Sequence, residues 1–287
     1  MKKTKKFVTS LLVAATVAVF AFSLASCGGA AGAKDLEKVQ EKGTIVVGME
    51  CAYAPYNWAQ TTANEYTVAI QNNMYADGYD VQVAKKIAEH LGVTLVIQPL
   101  EWDGLIPALN ANSIDLVIAG MSPTAERKES IDFSDTYYDS NLVMVIRADG
   151  NYTNATKISD FAGAKITGQL NTFHYSVIDQ IAGVQKQTAL PDFAALTSSL
   201  KSGTIDGYVC EKPGAVSAVT AYSEFKYIEF AEGNGFKCNP EDASISVGLR
   251  KGSTLTEKVN EALAKISKAE REKMMESAIA RQPVSAE

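Results

Sequence analysis

The residues of this chain best suited to chemistry lie in one stretch, DLVIAGMSPTAERKESIDFSD, at positions 115–135. Its apolar run predicts a strand that ends at Gly120, and Pro123 predicts the start of a helix that carries Arg127. Open α/β sheets hold small ligands where the carboxyl end of a strand meets the amino end of a helix. Because the N–H groups of a first helical turn are free, that place favours an anion.

Arg127 adds a permanently charged, planar group that fits a carboxylate in two-point geometry. The stretch therefore predicts a carboxylate-binding cradle within a pocket for a small zwitterion. Spacing alone leaves an alternative, in which Arg127 lies on the helix surface and pairs with Glu126 or Glu129.

Other predicted strands also end near charged or aromatic residues that could bind a ligand. Glu50 and Tyr53 follow the strand 44–49, and Trp102 follows the next strand. Glu211 ends a strand just before a helix that begins at a proline. Each has a plainer alternative: Glu50 as a solvated loop acid, Glu211 as a helix-dipole partner, and the two rings as core aromatics.

The charge of the chain excludes some functions. Of its 27 basic and 33 acidic residues, four lysines and no acid lie in the first 27 positions, so the rest carries a net charge of −10. This composition offers no basic face for nucleic acid, and it repels anions at long range. A bound carboxylate therefore needs local partners. The cysteine spacings suggest no metal site, and no cofactor is expected.

The amino terminus has the pattern of a secretory signal, with four early lysines, an apolar run at 7–25 and the sequence LASC at 24–27. LASC resembles a bacterial lipobox, which makes Cys27 the expected lipidated residue. Residues 1–27 are then a lipoprotein signal peptide and 28–42 a flexible tether. An uncleaved membrane anchor is the alternative.

Strands and helices alternate along the rest of the chain, which predicts mainly parallel sheets flanked by helices. We expect one lobe from residues 43–138 and 245–287, and a second lobe from the inserted segment 139–244. The chain then crosses between the lobes twice, as a hinge requires.

Several segments together resemble a known family: MECAYAPYNW, GYDVQVAKKIAEHLGV, EWDGLIPALNANSIDLVIAGMSPTAERKESIDFSDTYY and IDGYVCEKPGA. Their order is similar to that of the extracytoplasmic solute-binding proteins of family 3, the amino-acid receptors of ABC importers. The resemblance implies an α/β, two-lobed periplasmic-binding-protein-like fold of type II. It also implies a monomer outside the cell membrane, with a free amino acid, an ABC permease and its ATPase subunit as partners.

The resemblance gives roles to the residues around the ligand's charged groups. Arg127 pairs with the α-carboxylate, and Thr172 in the second lobe donates to it. Gly120 and Ser122 match positions that touch the carboxylate and the ammonium. Glu211 matches the acid that accepts from the α-ammonium.

The same resemblance assigns the rest of the pocket. Tyr53 and Trp102 match rings that sandwich the ligand, and Glu50 matches an acid that faces its side chain, which favours polar or cationic amino acids. Gln169 is expected to contribute an amide. His174 lacks a partner at catalytic or metal spacing, so no role is expected for it.

Two other classes of function stay open. Cyclohexadienyl dehydratases resemble this fold, and Glu211 or Glu50 could serve such an enzyme as a general acid. A surface adhesin or sensor domain is the third class. The sequence contains no recognisable nucleophile–base pair, and a lipid tether suits a receptor that stays near a permease, so the transport receptor is favoured.

Overall fold

The computed structural model describes residues 32–283. The predicted signal peptide and Cys27 lie outside the described residues. Within that range, no helix has both the length and the apolar character to cross a bilayer. The described part of the chain is a mixed α/β structure with two five-stranded sheets and one small antiparallel sheet.

Nine α-helices occur in the described part of the chain: α1 Asp35–Lys42, α2 Tyr79–Leu91, α3 Leu105–Asn110, α4 Ala125–Ser130, α5 Phe173–Ser176, α6 Phe193–Lys201, α7 Lys212–Ala221, α8 Leu255–Ala264 and α9 Lys268–Arg281. The strands are β1 Thr44–Met49, β2 Ala52–Tyr53, β3 Asn57–Gln60, β4 Val68–Ala69, β5 Tyr75–Asp77, β6 Thr94–Pro99, β7 Leu116–Val117, β8 Asp132–Asp139, β9 Leu142–Arg147, β10 Lys165–Thr167, β11 Gln185–Lys186, β12 Gly207–Glu211, β13 Phe225–Ile228 and β14 Ser244–Leu249.

The first lobe is built on the sheet β6-β1-β7-β14-β8. Strand β1 pairs in parallel with β6 and β7, whereas β14 runs antiparallel to β7 and β8. Because β1 is central, its side chains are largely buried, with Val47 and Met49 in the core beside Ile87 of α2. The carboxyl ends of β1, β6 and β7 therefore share one edge.

The second lobe is built on the sheet β11-β10-β12-β9-β13. Strand β12 pairs in parallel with β10 and antiparallel with β9, and separate apolar clusters cover the two faces of the sheet. The chain enters this lobe after β8 and leaves it before β14. The two crossings lie side by side, since the Ser244 hydroxyl donates to Asp139 at 3.0 Å.

The tether prediction for residues 28–42 is wrong from residue 32 onward. Gly32 is buried and hydrogen-bonded to Lys251 and Thr254, and α1 packs against the first lobe. Asp35 and Val39 are buried. Nε of Arg250, at the end of β14, donates to Asp35 at 2.9 Å, and Nη1 of the same arginine donates to two backbone carbonyl groups. A buried arginine needs an anion, and Asp35 supplies it, which fixes this helix to the fold.

We expect Arg250→Ala to lower the free energy of unfolding by about 3–5 kcal/mol, because it leaves Asp35 buried without its partner. Lys38→Ala is the matched control, since Lys38 is largely exposed and lies 3.7 Å from the same carboxylate. Urea unfolding of residues 28–287, followed by circular dichroism, measures both changes. Equal losses in the two variants would contradict the assigned role of Arg250.

Candidate functional site

A small, partly open cavity lies where the two lobes meet. The first lobe lines it with Tyr53, Trp102, Gly120, Ser122 and Arg127, and the second lobe lines it with Gln169, Thr172, Phe173, His174 and Glu211. Its volume of about 10 Å³ holds roughly one water molecule. Eight of the nine residues predicted to bind the ligand line this cavity, and the ninth, Glu50, contacts Gln169.

Arg127 projects from α4 into this crevice. Its Nη1 donates to the carbonyl oxygen of Ser122 at 2.9 Å, and its Nη2 donates across the crevice to that of Asn171 at 3.1 Å. The guanidinium also lies 5.0 Å from the ring centre of Trp102. Burial lowers the pKa of Arg127 to about 10, which still leaves it charged at neutral pH.

Arg127 does not form the surface ion pair with Glu126 or Glu129 that the sequence left as an alternative. Among the described residues, neither Glu126 nor Glu129 lies within ion-pair distance of its guanidinium, and the hydrogen-bond partners are backbone carbonyl groups at the crevice. The cation thus faces the cavity without an anionic partner in direct contact.

Glu211 supplies the negative charge from the opposite lobe. It is buried at the end of β12, and the Tyr53 hydroxyl donates to its Oε2. Nε2 of His174 lies 2.8 Å from its Oε1. Burial alone raises the pKa of Glu211, but the charge and hydrogen bonding of His174 and the hydroxyl of Tyr53 outweigh burial and hold the pKa below its ordinary value.

The two predicted aromatic residues contact the opposite lobe. The Tyr53 ring stacks on Phe193 of α6, with ring centres 4.0 Å apart and planes inclined by 8°. The indole N–H of Trp102 donates to the Asn171 carbonyl at 3.5 Å. Tyr53 also belongs to the buried core of the first lobe and Trp102 packs against that core, so both rings connect this core to the second lobe.

Three small residues shape the floor of the cavity. Gly120 has a φ of +62°, and a Cβ there would lie 3.2 Å from the Tyr53 ring, so a larger residue is disfavoured. Ser122 is buried and presents its carbonyl to Arg127. The Thr172 hydroxyl donates to the carbonyl of Gln169 at 2.7 Å, within its own loop.

Glu50 and Gln169 form the other polar pair across the crevice. The Gln169 amide donates to Oε1 of Glu50 at 3.0 Å, while Oε2 of Glu50 is buried and has no hydrogen-bond partner among the described residues. Burial raises the pKa of Glu50 to about 8; the Gln169 bond opposes that shift, and nearby acids, beginning with Asp192, add to it. Glu50 is therefore not the solvated loop acid of the plainer alternative.

The sequence analysis missed two contacts of the second lobe. His174, which has no partner at catalytic or metal spacing in the sequence, lies against Glu211 in the structure. The available signal was its position just after β10, at a sheet edge like that of Glu211. Asn171, with a φ of +54°, joins the lobes through its carbonyl and through a side-chain bond of 2.8 Å to Asp103.

The arrangement is chemically suited to a zwitterion. A cation from one lobe and an anion from the other meet at one cavity, with an amide, two rings and a second carboxyl group beside them. No group of histidine, cysteine and acidic residues in the described range could hold a metal ion. Cys51, Cys210 and Cys238 are free thiols.

Comparison with known proteins identifies related sequences and structures. The family described as bacterial extracellular solute-binding proteins, family 3, matches residues 45–278. The arginine-binding extracellular protein ArtP of Bacillus subtilis is 27% identical over 88% of this chain and 89% of its own length. The L-cystine-binding protein TcyJ of Escherichia coli is 29% identical over 81% of each chain.

A solved structure has the same fold. The amino-acid ABC transporter substrate-binding protein from Streptococcus pneumoniae, bound to L-arginine, superposes with a TM-score of 0.75 at 26% identity. The superposition covers 86% of this chain and 98% of that one. The predicted two-lobed α/β fold is thereby confirmed.

We expect Glu50→Gln to stabilise the protein selectively at high pH. Since folding raises the pKa of Glu50 from 4.5 to about 8, the carboxyl group contributes its full stability below pH 4.5 and loses it as the pH rises through 8. The amide does not ionise, so we expect the free energy of unfolding of the variant to exceed that of the wild type by about 5 kcal/mol at pH 9 and to match it at pH 4.

Urea unfolding at both pH values measures this difference. The control is Glu101→Gln, which removes a nearby but exposed acid. A Glu50→Gln effect that does not change with pH would contradict the proposed protonation of Glu50.

Proposed function

The chain belongs to the bacterial extracellular solute-binding proteins, family 3, and from this premise we propose that it captures a free amino acid between its lobes and delivers it to an ABC permease. Membership of this family places the protein outside the cytoplasm. Its relatives named above are binding proteins rather than enzymes, which favours a transport receptor over a dehydratase.

One observation carries the proposed ligand class: Arg127 and Glu211 line the same cavity from opposite lobes. An α-amino acid brings a carboxylate and an ammonium a few ångströms apart. Burying either charge without a partner is very costly, so a site with one fixed cation and one fixed anion selects a molecule that carries both.

The remaining residues support a polar or cationic side chain on the ligand. Glu50 has a buried oxygen without a hydrogen-bond partner among the described residues, and Asp192, Glu101 and Asp103 add negative potential around it. A guanidinium or ammonium group there would restore the charge of Glu50. The arginine and L-cystine named for two relatives both have a polar distal end.

We assign the roles in the site as follows. Arg127, Thr172 and Ser122 hold the carboxylate, with Gly120 giving it room. Glu211 accepts from the ammonium. The other members shape the side-chain end of the site: Tyr53, Trp102, Glu50 and Gln169.

The cavity between Arg127 and Glu211 is too small for an amino acid, although a cavity of about 720 Å³ adjoins it at Trp102, Arg127 and Thr172. We propose that the lobes separate to admit the ligand. Closure then buries the ligand and creates the surface that the permease and its ATPase partner respond to. We propose that residues 43–138 and 245–287 move as one lobe against residues 139–244, and that the protein acts as a monomer.

We also propose that residues 1–27 direct export and that Cys27 carries a lipid anchor. The tether is then limited to residues 28–31, because Gly32 is already buried, donates to the Lys251 carbonyl and accepts from the Thr254 N–H.

Arg127→Ala should weaken amino-acid binding roughly a hundredfold or more, because it leaves the ligand carboxylate buried without its cation. The ligand is first found by a thermal-shift screen of residues 28–287 against L-cystine and the twenty common amino acids, since a ligand that binds only the folded state raises the melting temperature. Titration calorimetry then compares the wild type and the variant.

Arg147→Ala is the matched control, because Arg147 lies on β9 outside the cavity and pairs with the exposed Asp149. It should leave the affinity unchanged. A loss below about fivefold for Arg127→Ala would contradict the assigned role. No thermal shift with any of these amino acids would contradict the proposed function.

Cys27→Ala should release the protein from the membrane fraction of the producing cell into the soluble fraction, because one lipid-bearing residue is removed. Fractionation followed by immunoblotting measures the distribution. Cys238→Ala, which changes an exposed cysteine in the second lobe, is the control. Retention of the Cys27 variant in the membrane would instead support the uncleaved anchor.

A further inference from the structure

Asn171 contacts the first lobe with both its backbone and its side chain, although none of the roles assigned above includes it. It lies in the second-lobe loop between β10 and α5, with a φ of +54°. Asparagine is one of the few residues other than glycine that adopts this left-handed conformation readily. The carbonyl group of Asn171 meets the first lobe, and a polar side chain remains available for a second contact.

The carbonyl group of Asn171 helps to orient Arg127. It accepts from Nη2 of Arg127 at 3.1 Å and from the indole N–H of Trp102 at 3.5 Å, while the carbonyl group of Ser122 accepts from Nη1 of Arg127 at 2.9 Å. The guanidinium is thus held by one carbonyl group from each lobe. It has five N–H donors, so three remain for a ligand carboxylate in two-point geometry.

The side chain of Asn171 makes the third contact across the crevice. Its amide donates to Oδ1 of Asp103 at 2.8 Å, and Asp103 directly follows Trp102 in the chain. All three contacts join residues of different lobes, so they break when the lobes separate. They therefore stabilise the arrangement in which a ligand is enclosed and contribute nothing once the crevice has opened.

We propose that Asn171 is a positioning residue of the binding site: its carbonyl group orients the guanidinium of Arg127 for the ligand carboxylate, and its side chain, through Asp103, slows the release of the bound amino acid. This inference rests on the proposed function. Because the contacts form only when the lobes meet, whereas the amino acid enters while they are apart, Asn171 acts on the dissociation rate and not on the association rate.

Asn171→Gly isolates the side-chain contact. Glycine adopts the left-handed conformation freely, so the variant keeps the backbone and its carbonyl group and loses only the bond to Asp103. Asn112→Gly is the matched control, since Asn112 is an exposed first-lobe residue with a φ of +60° that lines neither of the two adjoining cavities. Both substitutions give the unfolded chain the same extra freedom, so their difference reports the crevice contact.

Stopped-flow tryptophan fluorescence of residues 28–287 measures the rates, because one of the two tryptophans, Trp102, lies in the crevice. The probes are L-arginine, L-cystine and whichever common amino acid gives the largest thermal shift. The slope and intercept of the observed rate against concentration give the association and dissociation rate constants. We expect Asn171→Gly to raise the dissociation rate constant about fivefold, as one hydrogen bond to a charged group allows, with the association rate constant unchanged. Asn112→Gly should change neither.

Two variants of Asp103 test the same contact from the first lobe. Asp103→Asn and Asp103→Ala both remove the negative charge that Asp103 adds near Glu50, but only the asparagine keeps an oxygen that can accept from Asn171. The alanine variant should therefore release the amino acid about fivefold faster than the asparagine variant. Combined with Asn171→Gly, the two should release it at equal rates, a coupling that a general loss of stability does not produce.

The outcomes separate this inference from the proposed function. If an amino acid binds but leaves Asn171→Gly and Asn112→Gly at the same rate, or leaves Asp103→Ala and Asp103→Asn at the same rate, this inference is overturned and the proposed function stands. A change confined to the association rate overturns it as well. If neither L-cystine nor any of the twenty common amino acids binds, both fall.

Discussion

Buried charge is the constraint on which this structure depends. Arg127 and Glu211 lie in the crevice between the lobes, and neither is tolerated there without polar partners. The chain supplies them from within: two backbone carbonyl groups accept from Arg127, and Tyr53 and His174 contact Glu211. The proposed ligand has to match both charges, which favours small molecules that carry a cation and an anion.

The topology explains how residues far apart in sequence reach one cavity. Glu50, Trp102 and Gly120 follow three neighbouring strands of the first sheet, whose carboxyl ends share an edge. In the second sheet, β10 and β12 are parallel neighbours, so His174 and Glu211 emerge together at their carboxyl ends. Because the second lobe is inserted between β8 and β14, these two edges face each other.

The positions of Arg127 and Glu211 could be predicted from the sequence, because each depends on a local pattern of a few residues. A strand, a glycine turn and a helix start define the position of Arg127 within a few residues, and a proline after Glu211 does the same there. The sequence could not predict which side chains that are distant along the chain contact one another. The contact of His174 with Glu211 depends on strand order. The docking of α1 depends on a partner, Arg250, more than two hundred positions away. Nothing in a stretch of lysines and glutamates distinguishes a solvated tether from a helix held by one buried aspartate.

The attachment of α1 to the first lobe also bears on how far the protein can travel. With Cys27 proposed as the anchored residue, only the four residues 28–31 separate lipid from body, because Gly32 is already hydrogen-bonded to the first lobe, and they extend at most about 14 Å. The receptor thus stays within roughly one protein diameter of the bilayer. Confinement to so thin a layer keeps the local concentration of receptor around each permease high without any added affinity between them. In this proposal the short linker holds the first lobe at the membrane. The second lobe is then the one that moves when the ligand enters.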